Sequence, residues 1–250
     1  MRALTMMLTL TGATLVTADE PKPNLVNKLA DFFLDLPQFD YPVAGVCALG
    51  ARRQQQTADA SRIKTTRSES CGDVTVVFAR GSCEPGNVGV SAGPPFFDAL
   101  QAALPGRRVA VSGLKYGADF KEFLAAQKGS GDQLFVFPPF SIRPFAAMIR
   151  AAVDNCKGSR IVVGGYSLGA RIVHEAADEL GDSYMSKISA VVLFGDPYSK
   201  SAVSSINPSR VLIVCHDDDN ICKGGQLISM SHLTYSQQAA AAANFVVSRL

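Results

Sequence analysis

Excess charge of one sign is missing from this chain. Twenty-four Lys and Arg stand against 22 Asp and Glu, a formal net charge of +2. The basic residues are spread along the chain and form no stripe, which argues against a nucleic-acid partner. Histidine is scarce at three, so a general base has few candidates. There is no internal repeat. No Asn-x-Ser/Thr sequon is present, because Asn207 is followed by Pro208. Past residue 18 no apolar run reaches the ~20 residues that a bilayer span needs. A soluble mature protein without stable membrane insertion is therefore expected.

What is present is a 250-residue chain, 47% hydrophobic and 18% charged, suited to one domain with a sizeable core. Arg2, the apolar run Ala3 to Val16 and the small-x-small end Val16-Thr17-Ala18 read as a secretory signal peptide over residues 1–18. Export makes the six cysteines disulfide candidates, with fifteen possible pairings. Cys215 and Cys222 are near enough in sequence to close a small loop. A metal site there would need a second Cys/His pair at ligand spacing, and none is present.

Residues 19–70 read as an N-terminal extension. Leu25, Leu29, Phe32, Phe33 and Leu36 recur at helical spacing between Asn24 and Pro37. Gln54 to Ser70 is polar and reads as a linker, with Arg52-Arg53 before it. From Cys71 to Leu250, apolar strands alternate with amphipathic helices. Strands are expected at Val74–Ala79, Val109–Ser112, Arg160–Gly164, Ile188–Phe194 and Val211–Cys215. Helices are expected at Phe96–Leu104, Phe120–Gln127, Pro144–Asn155, Leu168–Leu180 and Ser236–Leu250. This alternation implies an α/β fold with a mostly parallel sheet covered on both faces, a three-layer α/β/α sandwich.

Gly165-Tyr166-Ser167-Leu168-Gly169 matches G-x-S-x-G between an expected strand and an expected helix. That spacing suits a sharp turn that lifts the Ser167 hydroxyl above the sheet edge and aims the Leu168 N–H at a bound carbonyl oxygen. A triad on such a fold follows the order Ser, Asp/Glu, His. His174 lies on the nucleophile's own helix and reads as a core or surface residue. His216 abuts Cys215 and three aspartates. His232, in a loop entering the last helix, is favoured as the base. The acid lies among Asp217, Asp218 and Asp219, with Asp196 a further candidate. Arg80-Gly81-Ser82, directly after the first long strand, is the place for a second oxyanion donor.

Taken together these blocks resemble the cutinases, small secreted serine esterases of the α/β-hydrolase type. The resemblance rests on Cys71 to Gly89, Gly164 to Gly169, Val192 to Pro197, Cys215 to Cys222 and His232 to Tyr235. It implies Ser167 as nucleophile, His232 as general base, Asp219 as acid, and Ser82 with the Leu168 N–H as oxyanion hole. It implies bridges Cys71–Cys156 and Cys215–Cys222, leaving Cys47 with Cys83. It implies apolar rims carrying Tyr116 on one side and Leu227, Ile228 and Met230 on the other. The activity implied is hydrolysis of cutin polyester and short- to medium-chain esters by a secreted monomer without cofactor or metal. An acetylxylan esterase or lipase of the same fold, or a non-catalytic secreted elicitor, are the alternatives. The helix Asn24–Leu36 is a lid, a scaffold helix or part of a propeptide. Two departures stand out: Leu168 where the family usually has Gln, and Asp218 where it usually has Gly. The apolar stretch Gln133 to Arg143 has no match.

Overall fold

The computed structural model describes the strand Tyr41–Pro42, Lys64, and residues 66–118 and 141–250. The expected helices Asn24–Leu36 and Phe120–Gln127, most of the 133–143 stretch, Cys47 and the signal segment lie outside the described residues.

Among the described residues five strands form the central sheet: β2 (Val74–Ala79), β3 (Val109–Gly113), β4 (Arg160–Tyr166), β5 (Ala190–Phe194) and β6 (Val211–Val214). All neighbours are parallel, in the order β3-β2-β4-β5-β6. A separate two-stranded ribbon pairs β1 (Tyr41–Pro42) antiparallel with β7 (Leu227–Ile228).

Side chains alternate along each strand, so both faces of the sheet must be covered. Val74, Val76 and Phe78 of β2 and Ala190, Val192 and Phe194 of β5 lie in one apolar cluster with Phe96, Phe97 and Leu100 of α1 (Gly93–Ala103). Ala242, Ala243 and Val246 of α4 (Ala239–Val247) complete that face. Val77, Ala79, Val191 and Leu193 point the other way. They meet Phe145 and Ile149 of α2 (Ile142–Asn155) and Ile172, Val173 and Ala176 of α3 (Leu168–Met185). The α/β/α sandwich expected from the hydrophobic pattern is thus the observed architecture.

Boundaries moved where packing overrides local signals. β4 runs on to Tyr166, because Gly165 and Tyr166 pair with Leu193 and Phe194. At Gly181 the helix breaks locally (φ 60°, ψ −172°), but helical turns resume to Met185. The closing helix is shorter than expected. Tyr235–Gln238 is a 3-10 turn, and the α-helix starts at Ala239. The end of the supposed linker is part of the domain. Glu69 N–H donates to Val111 C=O, Gly113 N–H donates to Arg67 C=O, and Arg67 N–H donates to Asn87.

The chain runs outward from β2 to β3, then returns past β2 to β4 and continues through β5 to β6. The winding direction therefore reverses between β2 and β4. In open α/β sheets the crevice beyond the strand ends at such a reversal is where ligands bind. The loop carrying Ser82 leaves the end of β2, and Ser167 follows the end of β4.

Candidate active site

Ser167 sits between β4 and α3 with φ 55° and ψ −119°. Its N–H donates to Phe194 C=O at 2.9 Å, which anchors the turn to the neighbouring strand. The turn needs glycine on both sides. A Cβ on Gly165 would fall 2.4 Å from Gly169 C=O, and one on Gly169 would fall 2.0 Å from Ala79 C=O. Close approach of β2's end to the start of α3 is thus built into the sequence.

Around Ser167 three side chains form a continuous chain. Ser167 Oγ is 3.0 Å from His232 Nε2, and His232 Nδ1 is 2.7 Å from Asp219 Oδ2. His232 is 1% exposed and Asp219 is 0% exposed. An ionised carboxylate only accepts, so Nδ1 carries the imidazole proton and Nε2 is left to accept from the serine hydroxyl. Burial alone would raise the Asp219 carboxyl. Hydrogen bonds from His232, Tyr235 and the Ile221 N–H outweigh it and hold the group below the ordinary carboxylate range. The acid therefore stays charged. The Cys222 sulfur lies 3.5 Å from the same Oδ2, but it belongs to a disulfide and has no proton to donate.

His232 is packed firmly. The Tyr166 ring stacks on it at 5.2 Å, and the Tyr166 hydroxyl donates to its backbone carbonyl at 2.8 Å. Gly195 (φ 56°) lies against its other side. A Cβ there would come within 2.7 Å of His232 Cε1.

Two features suit stabilisation of a developing oxyanion. Leu168 is the first residue of α3, so its N–H has no partner inside the helix and sits at the positive end of the helix dipole. Ser82 Oγ is buried and has no hydrogen-bond partner among the described residues. The loop that holds Ser82 is organised by Glu84. One carboxylate oxygen accepts from Gly81 N–H at 2.8 Å, the other from Val90 and Ser91 N–H at 3.0 and 2.8 Å. The buried Arg80 guanidinium donates to the carbonyls of Glu84, Leu114 and Tyr116. The Tyr116 hydroxyl returns a bond to Arg80 C=O. Glu84 is a site residue that the sequence alone does not single out; a carboxylate three residues past Gly81 is the signal available for it.

The other candidates separate cleanly. Asp196 does not reach His232. It is fully buried and pairs with His174, Oδ2 to Nε2, at 2.9 Å. His174 is thus a core residue. His216 Nδ1 donates to Ser231 C=O at 2.8 Å and takes no part in the chain to Ser167. Asp217 and Asp218 are exposed, while Asp219 turns inward. Asp218 is not among the residues with positive φ, so the loop makes no conformational demand for the family's usual glycine. Leu168, at the start of α3, is buried in the same core cluster as the apolar face of α2. Of the expected rim residues, Leu227 is 39% exposed, whereas Ile228 and Met230 are buried.

Cys71 pairs with Cys156 and Cys215 with Cys222. Cys83 is also disulfide-bonded; its expected partner Cys47 lies outside the described residues. The Cys215–Cys222 bridge closes the loop that carries Asp219.

The chain is similar to known proteins. The family model for cutinases matches residues 70–250. A cutinase of Hypocrea jecorina is 40% identical over 255 residues, which cover 99% of this chain and 98% of that protein. A cutinase of Trichoderma harzianum is 44% identical over 204 residues, 82% of this chain and 78% of its own length. The structure of Trichoderma reesei cutinase with a phosphonate inhibitor superposes with a TM-score of 0.72 at 40% identity, covering 90% of this chain and 98% of that one. An acetylxylan esterase at 20% identity and a TM-score of 0.54 shares the fold. A match of this identity over nearly the whole length places the chain in the cutinase family, as a serine ester hydrolase.

Proposed function

We propose that this protein is an exported cutinase that cleaves cutin polyester and short- to medium-chain esters, with Ser167, His232 and Asp219 as its catalytic residues. The observation that carries the reading is the unbroken chain from Ser167 Oγ through both imidazole nitrogens to Asp219. His232 Nε2 takes the Ser167 proton as Oγ attacks the ester carbonyl carbon. Asp219 stabilises the imidazolium, and Ser82 with the Leu168 N–H stabilises the tetrahedral oxyanion. Collapse expels the alcohol, protonated by His232, and leaves an acyl group on Ser167. Water, deprotonated by the same imidazole, then releases the acid and restores the serine. No metal or organic cofactor enters these steps.

An apolar substrate is favoured by the exposed Leu227 at the rim. The β1–β7 ribbon sets Tyr41 and Pro42 beside that residue, with Tyr41 opposite Ile228 and Pro42 opposite Leu227. We assign residues 71–250 as the catalytic domain and residues 19–70 as an N-terminal extension whose end, from Arg67 to Glu69, is hydrogen-bonded into that domain. Residues 1–18 serve as the signal peptide, and the mature enzyme is a secreted monomer without a nucleic-acid partner. Among the described residues no helix is long and apolar enough to cross a membrane.

The experiment is a reaction of the purified protein with a serine-directed alkyl phosphonate, followed by peptide mapping and a rate series over acyl length. Label on the Ser167 peptide, with turnover of butyrate-length esters and release of cutin monomers, is expected. Label elsewhere overturns the site. Action confined to acetyl groups of xylan overturns the substrate class in favour of an acetylxylan esterase. If the parent shows no turnover and Ser167→Ala keeps its biological effect, the protein is a non-catalytic elicitor.

A further inference from the structure

Asp219 Oδ2 carries more than the imidazole. The Tyr235 hydroxyl lies 2.6 Å from the same oxygen. Tyr235 is 0% exposed. Its single proton is committed to the carboxylate, and its oxygen accepts from the His216 N–H at 3.1 Å. We propose that Tyr235 is a positioning residue of the hydrolytic site, acting on His232 by gripping the carboxylate that orients it. The proposal rests on the assignment of Ser167, His232 and Asp219 as the hydrolytic group.

The geometry gives the grip a purpose. Asp219 stands on a loop between β6 and β7, and among the described residues Oδ1 is held by the Ile221 N–H at 2.9 Å. His232 and Tyr235 come from one segment, the 3-10 turns Ser231–Leu233 and Tyr235–Gln238. Two donors from that segment converge on one oxygen, so the carboxylate cannot rotate away from the imidazole without losing the phenol as well. The hydroxyl simultaneously ties the backbone of the acid's own loop at His216. The ring is fixed independently of the hydroxyl: it stacks on His216 at 4.4 Å and meets the Phe194 and Tyr166 rings edge-on or tilted. Burial, first, and the Asp219 charge push the phenol far above its ordinary range, so it remains a donor throughout the working pH of an esterase.

Sharing the carboxylate has a consequence for pH dependence. A phenol proton on Oδ2 withdraws charge that would otherwise face the imidazolium. Its removal leaves Asp219 more basic and strengthens the carboxylate's hold on the imidazolium. The other titratable groups around the pair are His216 and Asp218 on the acid's loop and Tyr166 on β4. None of them bonds to Oδ2.

The test uses the full chain and p-nitrophenyl butyrate. For Tyr235→Phe, kcat is expected to fall on the order of tenfold with KM within about twofold, as for lost orientation. The acid limb of kcat/KM should move to higher pH. In an Asp219→Asn background the same exchange should change kcat by less than about twofold, since the charge it acts through is gone. Replacing Tyr235 with 3,5-difluorotyrosine keeps the ring and strengthens the donor. It should move the acid limb to lower pH, and it serves as the test if the phenylalanine variant fails to fold. Unchanged kcat and acid limb, or losses of equal size in both backgrounds, overturn the proposal. Failure of a phosphonate to label Ser167 in the parent protein would overturn the site assignment itself, which separates the two.

Discussion

Ser167 holds a backbone conformation that costs about 1–3 kcal/mol for a residue with a side chain, and Phe194, Gly165 and Gly169 hold it there. The hydroxyl is what this strain presents. Ser167→Ala should therefore lower kcat by roughly 10⁴–10⁶-fold with little change in the melting midpoint; p-nitrophenyl ester hydrolysis and a circular-dichroism melt check both. Gly195→Ala tests the other side of the imidazole. Its Cβ would press on His232 Cε1 and Tyr235 Cε2, so kcat should fall at least about tenfold; an unchanged rate would mean the imidazole has room to move. Asp219 also links activity to acid stability. Its folded carboxyl titrates below the unfolded one, so its contribution is complete above about pH 4 and is lost as pH falls through the folded value. Denaturant midpoints of the parent should drop across that acid range, and those of Asp219→Asn should drop less. Ser167, His232 and Asp219 were legible because spacing and chain order point to them. Tyr235 stood in the quoted histidine segment without a role, because a phenol three residues from a histidine says nothing about which oxygen it meets.

The loop after β2 is where elements matter more than single groups. Glu84 gathers three backbone N–H groups, and Arg80 gathers three carbonyls. The loop is thereby rigid before substrate arrives. Ser82→Ala should cost roughly 10²-fold in kcat if the hydroxyl is an oxyanion donor. Glu84→Gln gives up one acceptor oxygen to an amide nitrogen that repels an N–H. It should lower kcat about tenfold, and much less once Ser82 is already Ala, because both act on the same donor. Equal losses in the two backgrounds would show that Glu84 serves stability alone. The sequence locates this loop by its position after a strand, but gives no sign of the carboxylate and guanidinium that organise it. The place of the buried Arg80 guanidinium depends on β3's exit segment at Leu114 and Tyr116, whose carbonyls it meets and which no local pattern announces.

Across the whole molecule, the proposed active site lies where the winding of the sheet reverses, and the Cys71–Cys156 bridge joins the start of β2 to the chain entering β4. It spans 85 residues. In the chain-entropy view such a closure is worth about 4.5 kcal/mol. Replacing both cysteines with serine should lower the melting midpoint by about 10 °C while leaving Ser167 labelling intact at 25 °C. Scanning calorimetry with a phosphonate titration checks this; a shift below about 2 °C would mean that packing of α1, α2, α3 and α4 on the sheet suffices by itself.

The alternation of β-branched strands with amphipathic helices determined the layers by itself. A strand buried on both faces leaves no choice but apolar residues throughout, and that signal is written locally. The G-x-S-x-G turn was equally local, since its glycines answer contacts within five residues and one neighbouring strand. Only tertiary structure chose Asp219 over Asp196 among buried carboxylates, turned Asp217 and Asp218 to solvent, and set the Tyr235 hydroxyl on the shared oxygen. Those choices depend on directions in space between segments distant along the chain, and a hydrogen bond is fixed by direction and distance, not by residue type.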